Sequence, residues 1–595
     1  MSITPFAAGL IASNRQTATI LAQKSQLDTL TTQLATGRTA DTYGGLGSGR
    51  TTSLSAHAAI SALDGYSAAI GHGTTRVAVA SAGIQQVATA ANTVGTALTS
   101  GLASGSAVLP KGTQQIAANS LSAAVDALNQ QSGDLYVFSG RSTDTQPVVS
   151  LDAILNGDPS SGLAGVRTLI AEQKTADLGP GGNGRLTQTA SGATLSLTED
   201  PSAEARANFG FTLQAATSSN AGAIAVSRTA GTAATVTPDF ATIPMDGQRV
   251  RVAVTQADGS QKTVDLTARA TGPAGANEFL IGTTTAASGQ NLRAAVAPLA
   301  IAGVQSAGAP GASATFTGGS AAAVSLSVAG TPVAGDTITV TLGLHDGTTT
   351  TITLTAAATA DATSKTSFAI GATPAATAAN LSTALSNALT GAASTTLAAS
   401  SATRASQNFF DGSTTPGLAP RRVDAAGTGY AQTVQGNTVI WYRGDDTSAD
   451  PRATATVQAG ANRSVAVGVQ ANEGALRATL AGLAAIAGDS FSDPATATDV
   501  SRFKALSQRS ATLLTTAKDG VTGIATDLSL ASSSLSDAKS LAQSSKATLQ
   551  DSLDGVETVS TEAVATKLLN LQTQLQATYQ VTSMLSKLSL VNYIS

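Results

Sequence analysis

The chain has 595 residues, of which 12% are charged and 3% aromatic; its formal net charge is −4 and it contains no cysteine. The lack of cysteine excludes disulfide scaffolds, Cys-ligated zinc, iron–sulfur clusters and thiol nucleophiles. The slightly acidic charge without basic clusters argues against a nucleic-acid surface, and three scattered histidines (His57, His72 and His345) leave little room for a His-based metal site or triad.

The N-terminal part of the chain is predicted to be helical. Its larger apolar residues recur at heptad spacing, at Ile20, Leu27, Leu30 and Leu34. This first helix is expected to end at Gly37, a favourable residue just past a helix end, and the glycine-rich residues 39–49 are expected to form a hinge or an extended connector. Two more helices are predicted over residues 51–98 and 111–131. No cleavable secretory signal is expected, because no basic residue precedes the first apolar stretch.

Residues 151–465 are predicted to be rich in β-strand. Alternating, β-branched segments such as RVRVAV (249–254) and TITVTL (337–342) are typical of half-buried strands. The dipeptides Asp258-Gly259 and Asp346-Gly347 are typical hairpin turns. Uncharged stretches here are broken throughout by Ser, Thr, Gly and Pro, so no run of about 18 apolar residues predicts a membrane span.

The two hairpins belong to a repeated segment. PMDGQRVRVAVTQADGSQKTVDLTA begins at Pro244, and PVAGDTITVTLGLHDGTTTTITLTA begins at Pro332, an offset of 88 residues. Phe279 and Phe368 then match at an offset of 89, ahead of the helical stretches NLRAAV and NLSTAL. Each unit is therefore predicted to be a hairpin, a strand and a short helix around one large Phe. Duplicated small domains of this kind more often present a surface than form a catalytic site.

The C-terminal part returns to helix. A helix is predicted over residues 499–553, weakened near Gly520 and Gly523, followed by a last helix over residues 556–590. The apolar stripe of the last helix consists of Val564, Leu568, Leu571, Leu575, Leu585 and Leu588.

The narrow apolar stripes of the two terminal helices need to pack against another helix, because a long helix cannot bury its own apolar stripe. Thr578 and Thr582 interrupt the C-terminal seam where apolar residues would be expected. We infer that the two ends pair as a coiled coil, with each other or with neighbouring subunits. The alternative is that both are ordinary core helices of one globular domain.

Both helical ends resemble the flagellin superfamily. The N-terminal stretch RQTATILAQKSQLDTLTTQLATGRTADTYGG and the C-terminal stretch VETVSTEAVATKLLNLQTQLQATYQVTSMLSKLSLVNYIS are similar to the terminal helices of these proteins. Two further blocks resemble the hook-associated protein 3 family, the flagellar hook–filament junction proteins. They are GDLYVFSGRSTDTQPV at 133–148 and a block at 438–477, and the matching residues are Tyr136, Phe138, Gly140, Pro147, Tyr442, Gly444, Asp445 and Arg452.

The resemblance covers about residues 1–150 and 435–595, and it implies a structural subunit of the bacterial flagellum without catalytic residues, cofactor or metal. Such proteins leave the cell through the flagellar type III export apparatus without a cleaved signal peptide and assemble outside it. Their chain ends form a helical tube, and the central segment projects outward. The implied partners are other copies of the chain, a hook-associated protein on the hook side, flagellin on the filament side and an export chaperone. Nucleic acid and membrane are not implied partners.

The predicted fold class is α+β, with a long helical coiled-coil core built from both chain ends and β-rich inserted domains that contain a tandem hairpin repeat. The inner coiled-coil domain is expected to take its helices from both termini, the helical rod to flank the β-rich insert on both sides, and the insert to hold two repeat units and a β-rich return segment. The predicted boundaries, in chain order, are 1–40 (inner helix), 41–150 (rod), 151–242 (β-rich), 243–330 and 331–405 (repeat units), 406–465 (return segment), 466–553 (rod) and 554–595 (inner helix).

Other interpretations stay open from the sequence. A filament flagellin has the same helical ends, and an extracellular adhesin would also carry tandem β repeats. Asp445, Asp446 and Asp450 could bind Ca²⁺, but they lack the spacing of an EF-hand loop, and Asp-rich turns are usually only turns. Trp441 and Tyr442 lie in a strand-like run and are expected in the core of a small β element.

Overall fold

A computed structural model of the protein describes residues 5–103, 110–272, 274–308, 311–431 and 436–594. It is 50% helical and 20% strand, which confirms the predicted α+β class. The chain separates into two compact units. The first spans the described residues up to Thr74, Val457–Val465 and the described residues from Ser532 onward, and the second spans Thr75–Thr456 and Ala466–Ala531.

The helices and strands follow one another from a helical N-terminal part through a β-rich middle to a helical C-terminal part. The helices are α1 (Pro5–Thr36), α2 (Arg50–Ala103), α3 (Pro110–Leu128), α4 (Leu151–Asn156), α5 (Val166–Leu178), α6 (Ala203–Asn208), α7 (Thr285–Val296), α8 (Pro374–Ala392), α9 (Ala398–Phe410), α10 (Gly474–Gly488), α11 (Ala497–Glu557) and α12 (Thr561–Ile594). The strands are β1 (Gln131–Ser132), β2 (Leu135–Tyr136), β3 (Gly157–Asp158), β4 (Leu163–Ala164), β5 (Thr187–Ser191), β6 (Thr194–Thr198), β7 (Thr212–Ser218), β8 (Ile224–Thr229), β9 (Thr235–Phe240), β10 (Arg249–Thr255), β11 (Gln261–Arg269), β12 (Glu278–Leu280), β13 (Ala300–Ser306), β14 (Ala312–Thr317), β15 (Ala323–Val328), β16 (Thr337–Gly343), β17 (Thr349–Ala357), β18 (Ser367–Ala369), β19 (Thr456–Gly460) and β20 (Arg463–Ala466).

The long helices agree with the predicted ones except in α11. The weakening predicted near Gly520 and Gly523 is wrong, because α11 runs unbroken from Ala497 to Glu557. A Cβ at Gly520 would lie 2.6 Å from the Cβ of Ala475 on α10. Glycine at this position therefore serves close packing between two helices, and it does not end the helix. The chain leaves helix only over residues 558–560, before α12 begins.

Helix also enters segments that were expected to be β-rich. Residues 151–242 contain α4, α5 and α6, and Ser150 caps α4 by accepting a hydrogen bond from the backbone N–H of Ala153. In the expected return segment, α9 continues to Phe410. The described residues between α9 and β19 form turns, isolated bridges and a short 3₁₀ helix (Arg452–Thr454) instead of strands. Short polar stretches such as these carry little periodicity, so composition alone predicts them poorly.

Two four-stranded sheets hold the predicted hairpins. Sheet I has the order β12-β11-β10-β13, and sheet II has the order β18-β17-β16-β7. In each sheet the hairpin is antiparallel and the short strand at the edge is parallel to its neighbour. A third sheet has the order β5-β6-β15-β8, and β9 pairs with β14.

The fourth strands of sheets I and II come from opposite directions along the chain. In sheet I, Val250 pairs with Ser306 of β13, which follows the hairpin. In sheet II, Ile338 pairs with Ser218 of β7, which precedes the hairpin by more than a hundred residues. The register shifts in the two ladders fall between Ala253 and Val254 and between Thr341 and Leu342, again 88 residues apart (253 and 341).

Each hairpin packs against a helix through a separate apolar core. The core of sheet I includes Val252, Phe279 and Leu292, and the core of sheet II includes Val340, Phe368 and Leu381. Alternation along the strands produces both cores, because every second residue of a strand faces the same side of the sheet. The single Phe expected in each unit is therefore buried, at 1% exposure in both cases.

Candidate assembly site

The two ends of the chain meet in the first unit. Helices α1 and α12 pack along each other, and the residues buried between them are Leu30, Val564, Leu571 and Leu575. Leu27 and Leu568 are partly buried against this cluster. Six of the ten predicted stripe residues therefore take part in one apolar cluster, which joins positions at opposite ends of the sequence.

Of the other four residues of the predicted stripes, the three whose side chains the structure describes are not part of this cluster. Ile20 is partly buried, whereas Leu34 and Leu585 are exposed. The side chain of Leu588 lies outside the described residues. Near Leu585 the contact is polar, because Gln16 Nε2 donates to Thr582 Oγ1 over 3.1 Å. This hydrogen bond gives Thr582, one of the two interruptions of the C-terminal seam, a partner across the helix pair.

Backbone hydrogen bonds fix the end of α1 to the start of α12. Thr39 N donates to the carbonyl of Glu557 over 2.7 Å, and Val559 N donates to the carbonyl of Gly37 over 3.0 Å. Gly37 has φ +68°, a conformation that suits glycine, and so acts as the residue that ends α1. These two hydrogen bonds fix the alignment of α1 with α12 at one position.

Glu557, the last residue of α11, accepts two side-chain hydrogen bonds beside this connection. Ser53 Oγ lies 2.5 Å from its Oε1, and His57 Nε2 lies 2.9 Å from the same oxygen. The hydrogen bond from Ser53, followed by those from His57, lowers the pKa of Glu557. His57 is therefore engaged in a structural contact within the first unit.

Large apolar side chains remain exposed on α1 and α12. Leu21, Leu569 and Met584 have exposures of 62%, 63% and 63%, and Tyr579 and Val581 are also more than half exposed. A pair of isolated helices would gain by carrying polar residues at these positions, and contiguous exposed apolar surface marks an interaction site. The stripe analysis missed these residues. The available signal was the presence of apolar residues such as Leu569 and Met584 between stripe positions.

In the second unit, the two blocks that resemble junction proteins lie against each other. Arg443 N donates to the carbonyl of Pro147 over 2.8 Å, and Asp445 N donates to the carbonyl of Ser139 over 2.9 Å. Phe138 is fully buried and Tyr136 is half-buried in β2. These backbone contacts make a single structural element from segments about three hundred residues apart.

Tyr442 lies at the centre of this element and is 2% exposed. Its hydroxyl is 3.4 Å from the carbonyl oxygen of Phe138 and 3.3 Å from that of Asp445. Burial, and then the negative charges of Asp445 and its neighbours, raise the pKa of Tyr442. The hydroxyl therefore stays protonated and donates to backbone carbonyls.

Two glycines of the predicted motif allow this close approach. A Cβ at Gly444 would lie 2.5 Å from the Tyr442 hydroxyl and 2.8 Å from the carbonyl oxygen of Ser139. A Cβ at Gly140, whose φ is +65°, would lie 2.6 Å from Gln470 Nε2. Sequence reasoning missed Gln470, which donates to the backbone carbonyl of Asp445. An ordinary glutamine in a loop gives no signal in the sequence.

The acidic residues considered for Ca²⁺ are occupied by local hydrogen bonds. Asp445 accepts from Thr447 and Ser448, and although burial raises its pKa, these hydrogen bonds outweigh burial and lower it. Asp446 accepts from Ser413 and Thr414, and Asp450 accepts from the N–H of Arg452. Among the described residues no group of three or more His, Cys, Asp or Glu could hold a metal ion.

Arg452, the last residue of the predicted motif, pairs with Glu473 at the start of α10. Burial raises the pKa of Glu473, and the charge of Arg452 opposes that rise. The ion pair connects the motif to the start of α10 in the same unit. No helix in the described part of the chain is long and apolar enough to cross a membrane.

No protein-family model matches the chain, and no curated protein matches it significantly.

Proposed function

We propose that this protein is a structural subunit of the bacterial flagellum that forms the junction between hook and filament. The observation that carries the proposal is the pairing of the chain ends through Leu30 and Leu571, combined with the exposed apolar residues on the same helices. A helix pair that buries one apolar seam internally and leaves others exposed is suited to association with further copies of itself.

The coiled-coil interpretation of α1 and α12 is part of this proposal. It is supported by the heptad spacing of the stripes and by the cluster centred on Leu30, Val564 and Leu571. In the assembled state the remaining apolar residues, among them Leu569 and Met584, would pack against neighbouring subunits. The rod would be built from α2 and α11, which are the longest helices of the chain.

The tandem repeat is also part of the proposal, in an extended form. Strands β7, β8 and β9 lie 88 residues before β13, β14 and β15 (212 and 300, 224 and 312, 235 and 323). We propose that residues 212–388 are two copies of one unit that have exchanged their first two strands, since the third strands, β9 and β15, pack in the cores of their own copies. Each copy would supply strands to the other, and this exchange would stabilise the two copies as one projecting domain.

The proposal extends to location and partners as the family resemblance implies them. The chain would be exported by the flagellar type III apparatus and would act outside the cell, without enzymatic activity. It would contact other copies of itself, a hook-associated protein on one side and flagellin on the other, and an export chaperone before assembly. Its cysteine-free sequence suits passage from a reducing to an oxidising environment.

Deletion of the gene in the bacterium that encodes the protein tests the proposal. We expect hooks without filaments, with flagellin monomers released into the medium. A strain in which the chain is restored should regain filaments, and immunogold labelling should place the chain in a short zone at the end of the hook. Labelling along the whole filament would assign the chain to flagellin instead, and normal filaments after deletion would overturn the junction proposal.

A further inference from the structure

A cleft of about 180 Å³ lies in the second unit, between sheet I, the end of α9 and the first turns of α10. It continues into a recess of about 10 Å³ that shares Asn408, Asp411 and Arg421 with it. We propose that this cleft binds a phosphate or sulfate group. The inference is independent of the flagellar assignment, because it depends only on the chemistry of the cleft.

The cleft is lined by four basic side chains and one acidic side chain. The basic residues are Lys262, Arg404, Arg421 and Arg477, and the acidic residue is Asp411. Four positive charges against one negative charge leave an excess of three within the lining. Asp177, outside the lining, lies 3.5 Å from Arg404 and offsets part of that excess. The remainder favours an anion with more than one negative charge.

Arg421 is a partly buried residue, and one nitrogen of its guanidinium lacks the hydrogen-bond partner that a buried donor normally has. Its Nη1 is buried without a hydrogen-bond partner in the part of the chain that the structure describes. Burial, with the positive charges of Arg404 and Arg251 acting in the same direction, lowers the pKa of Arg421. A buried guanidinium donor without an acceptor is costly, and an oxyanion would supply the missing acceptor.

The guanidinium of Arg421 is also held in place. It stacks on the ring of Tyr430, with its central carbon 4.1 Å from the ring centroid. Its backbone N–H donates to Asn408 Oδ1 over 2.9 Å, and Asn408 Nδ2 donates to its carbonyl over 2.7 Å. The side chain is thus positioned before any ligand arrives, which reduces the entropy lost on binding.

A second unpartnered donor lies in the same cleft. Arg477 donates from Nη1 to Asp411 over 3.1 Å, but its Nε is buried and has no partner within the described ranges. Gly474, the first residue of α10, lines the cleft as well, so the partial positive charge of that helix end adds to the field. At the mouth, Lys262 is exposed and pairs with no described acidic group.

These features fit a phosphate or sulfate group better than a single carboxylate. A tetrahedral oxyanion has several acceptor oxygens, so it can accept from more than one of the basic side chains that line the cleft, and a phosphate carries about 1.5 to 2 negative charges near neutral pH. The same group can come as a free ion or as the charged end of a sugar ester.

The test measures binding to the full-length protein by titration calorimetry and by the shift in melting temperature. Sodium phosphate and sodium sulfate are the probes, with sodium chloride at equal ionic strength as the reference. We expect saturable binding of phosphate and sulfate below about 10 mM and a melting temperature that rises with their concentration. A binding isotherm indistinguishable from chloride would overturn the proposal.

Two variants locate the site. Arg421→Met is expected to abolish binding, and Lys262→Met to weaken it about tenfold, because each removes a donor from the cleft. Lys365→Met, which removes another exposed lysine outside the cleft, is the matched control and should bind as the wild type does. Because Lys262 is exposed, its replacement leaves the fold intact even where Arg421→Met does not fold. Unchanged affinity in Lys262→Met, or equal loss in Lys365→Met, would contradict the assignment.

The source of the group is distinguished by comparing inorganic phosphate with glucose 6-phosphate, and inorganic sulfate with glucose 6-sulfate. Tighter binding of the sugar esters would assign the site to a phosphorylated or sulfated saccharide. Equal or weaker binding would assign it to the free ion. Either result supports an oxyanion site.

Discussion

Thr232 and Ser320 exchange two backbone hydrogen bonds, with each N–H donating to the other residue's carbonyl over 3.0 and 3.1 Å. Their hydroxyl groups are 3.0 Å apart, and the two residues are separated by 88 positions. This is the offset of the two hairpins, so in the proposed duplication each of these residues pairs with its own counterpart in the other copy. A residue that contacts its counterpart lies at the point about which two copies are related by a two-fold rotation.

The strand exchange predicts a specific cross-link. Thr217 on β7 pairs with Thr339 on β16, in the register of the exchanged arrangement. A Thr217→Cys, Thr339→Cys double variant is expected to form a disulfide in a chain that otherwise has no cysteine. The measurement is the mobility of the oxidised and reduced protein in a denaturing gel.

The matched control for this cross-link is Gln305→Cys with Thr339→Cys. Gln305 is the counterpart of Thr217 in the second copy, and it would pair with Thr339 if each copy closed on itself. The structure instead pairs Gln305 with Arg251. Disulfide formation in the control but not in the first variant would show that the strands are not exchanged.

Local patterns predicted the hairpins and the apolar stripes but not the strand exchange. Alternation in RVRVAV and heptad spacing at Leu27, Leu30 and Leu34 depend on residues close in sequence, so they are visible without a structure. The choice of β7 or β13 as the partner of β16 is different, because in the proposed duplication the two strands are copies and both would satisfy the same register. Only contacts distant in sequence, such as that of Thr232 with Ser320, distinguish them.

The motif residues were predictable from the family resemblance, whereas their partners were not. Tyr442, Gly444 and Gly140 were named from the sequence, but Gln470, which contacts two of these segments, carries no recognisable pattern. The same holds for the basic cleft, since Arg421 and Arg477 come from separate segments and cluster only after folding. Chemistry assembled from distant residues leaves no spacing signal in one sequence.

Replacing Gly444 by alanine is expected to destabilise the second unit. The added methyl group would meet the Tyr442 hydroxyl at 2.5 Å and the Ser139 carbonyl oxygen at 2.8 Å, so the backbone must move and the Tyr442 hydrogen bonds weaken. Overpacking of this kind typically costs about 1–3 kcal/mol. Thermal and urea unfolding of the purified variant measure the loss.

Gly112→Ala is the control for that substitution. Gly112 lies within α3, and a Cβ there has no atom within 4 Å. The change should leave stability unchanged or raise it by up to about 1 kcal/mol, because alanine is the better helix former. Equal stability of Gly444→Ala and Gly112→Ala would mean that the contact around Tyr442 relaxes without cost.

Acid should destabilise the second unit partly through His345. Burial, and then the charge of Arg404, lower its pKa to about 3, against about 6.5 for an unperturbed histidine. Between these values the unfolded chain binds the extra proton and the folded chain does not, so the free energy of unfolding falls as the pH drops from about 6.5 towards 3.

The His345→Gln variant is therefore expected to lose stability less steeply over that window than the wild type. The difference in slope can reach about 1.4 kcal/mol per pH unit, the value for one proton. Urea midpoints measured from neutral pH down to about pH 4 provide the comparison, with His72→Gln, which replaces an exposed histidine, as the control. Identical slopes for wild type and His345→Gln would show that His345 titrates normally in the folded chain.

Two leucines of the same helix separate folding from assembly. Leu571 is 6% exposed in the cluster between α1 and α12, whereas Leu569 is 63% exposed. Leu571→Ala is expected to cost about 2–5 kcal/mol and to loosen the helix pair in the isolated chain. Leu569→Ala should leave the unfolding curve of the isolated chain unchanged, because the side chain contributes little buried area there.

Leu569→Ala is expected to impair assembly although it leaves the stability of the isolated chain unchanged, because a neighbouring subunit is expected to cover Leu569. Under conditions in which the wild type polymerises, a clearly smaller fraction of Leu569→Ala should enter pelletable polymers. The circular dichroism of the unassembled variant should match that of the wild type. Lys567→Ala, a surface change two residues away on α12, is the control for a general effect of substitution in this helix. If Leu569→Ala polymerises as the wild type does, the exposed apolar face of α12 is not an assembly surface, and the helical ends must serve another purpose.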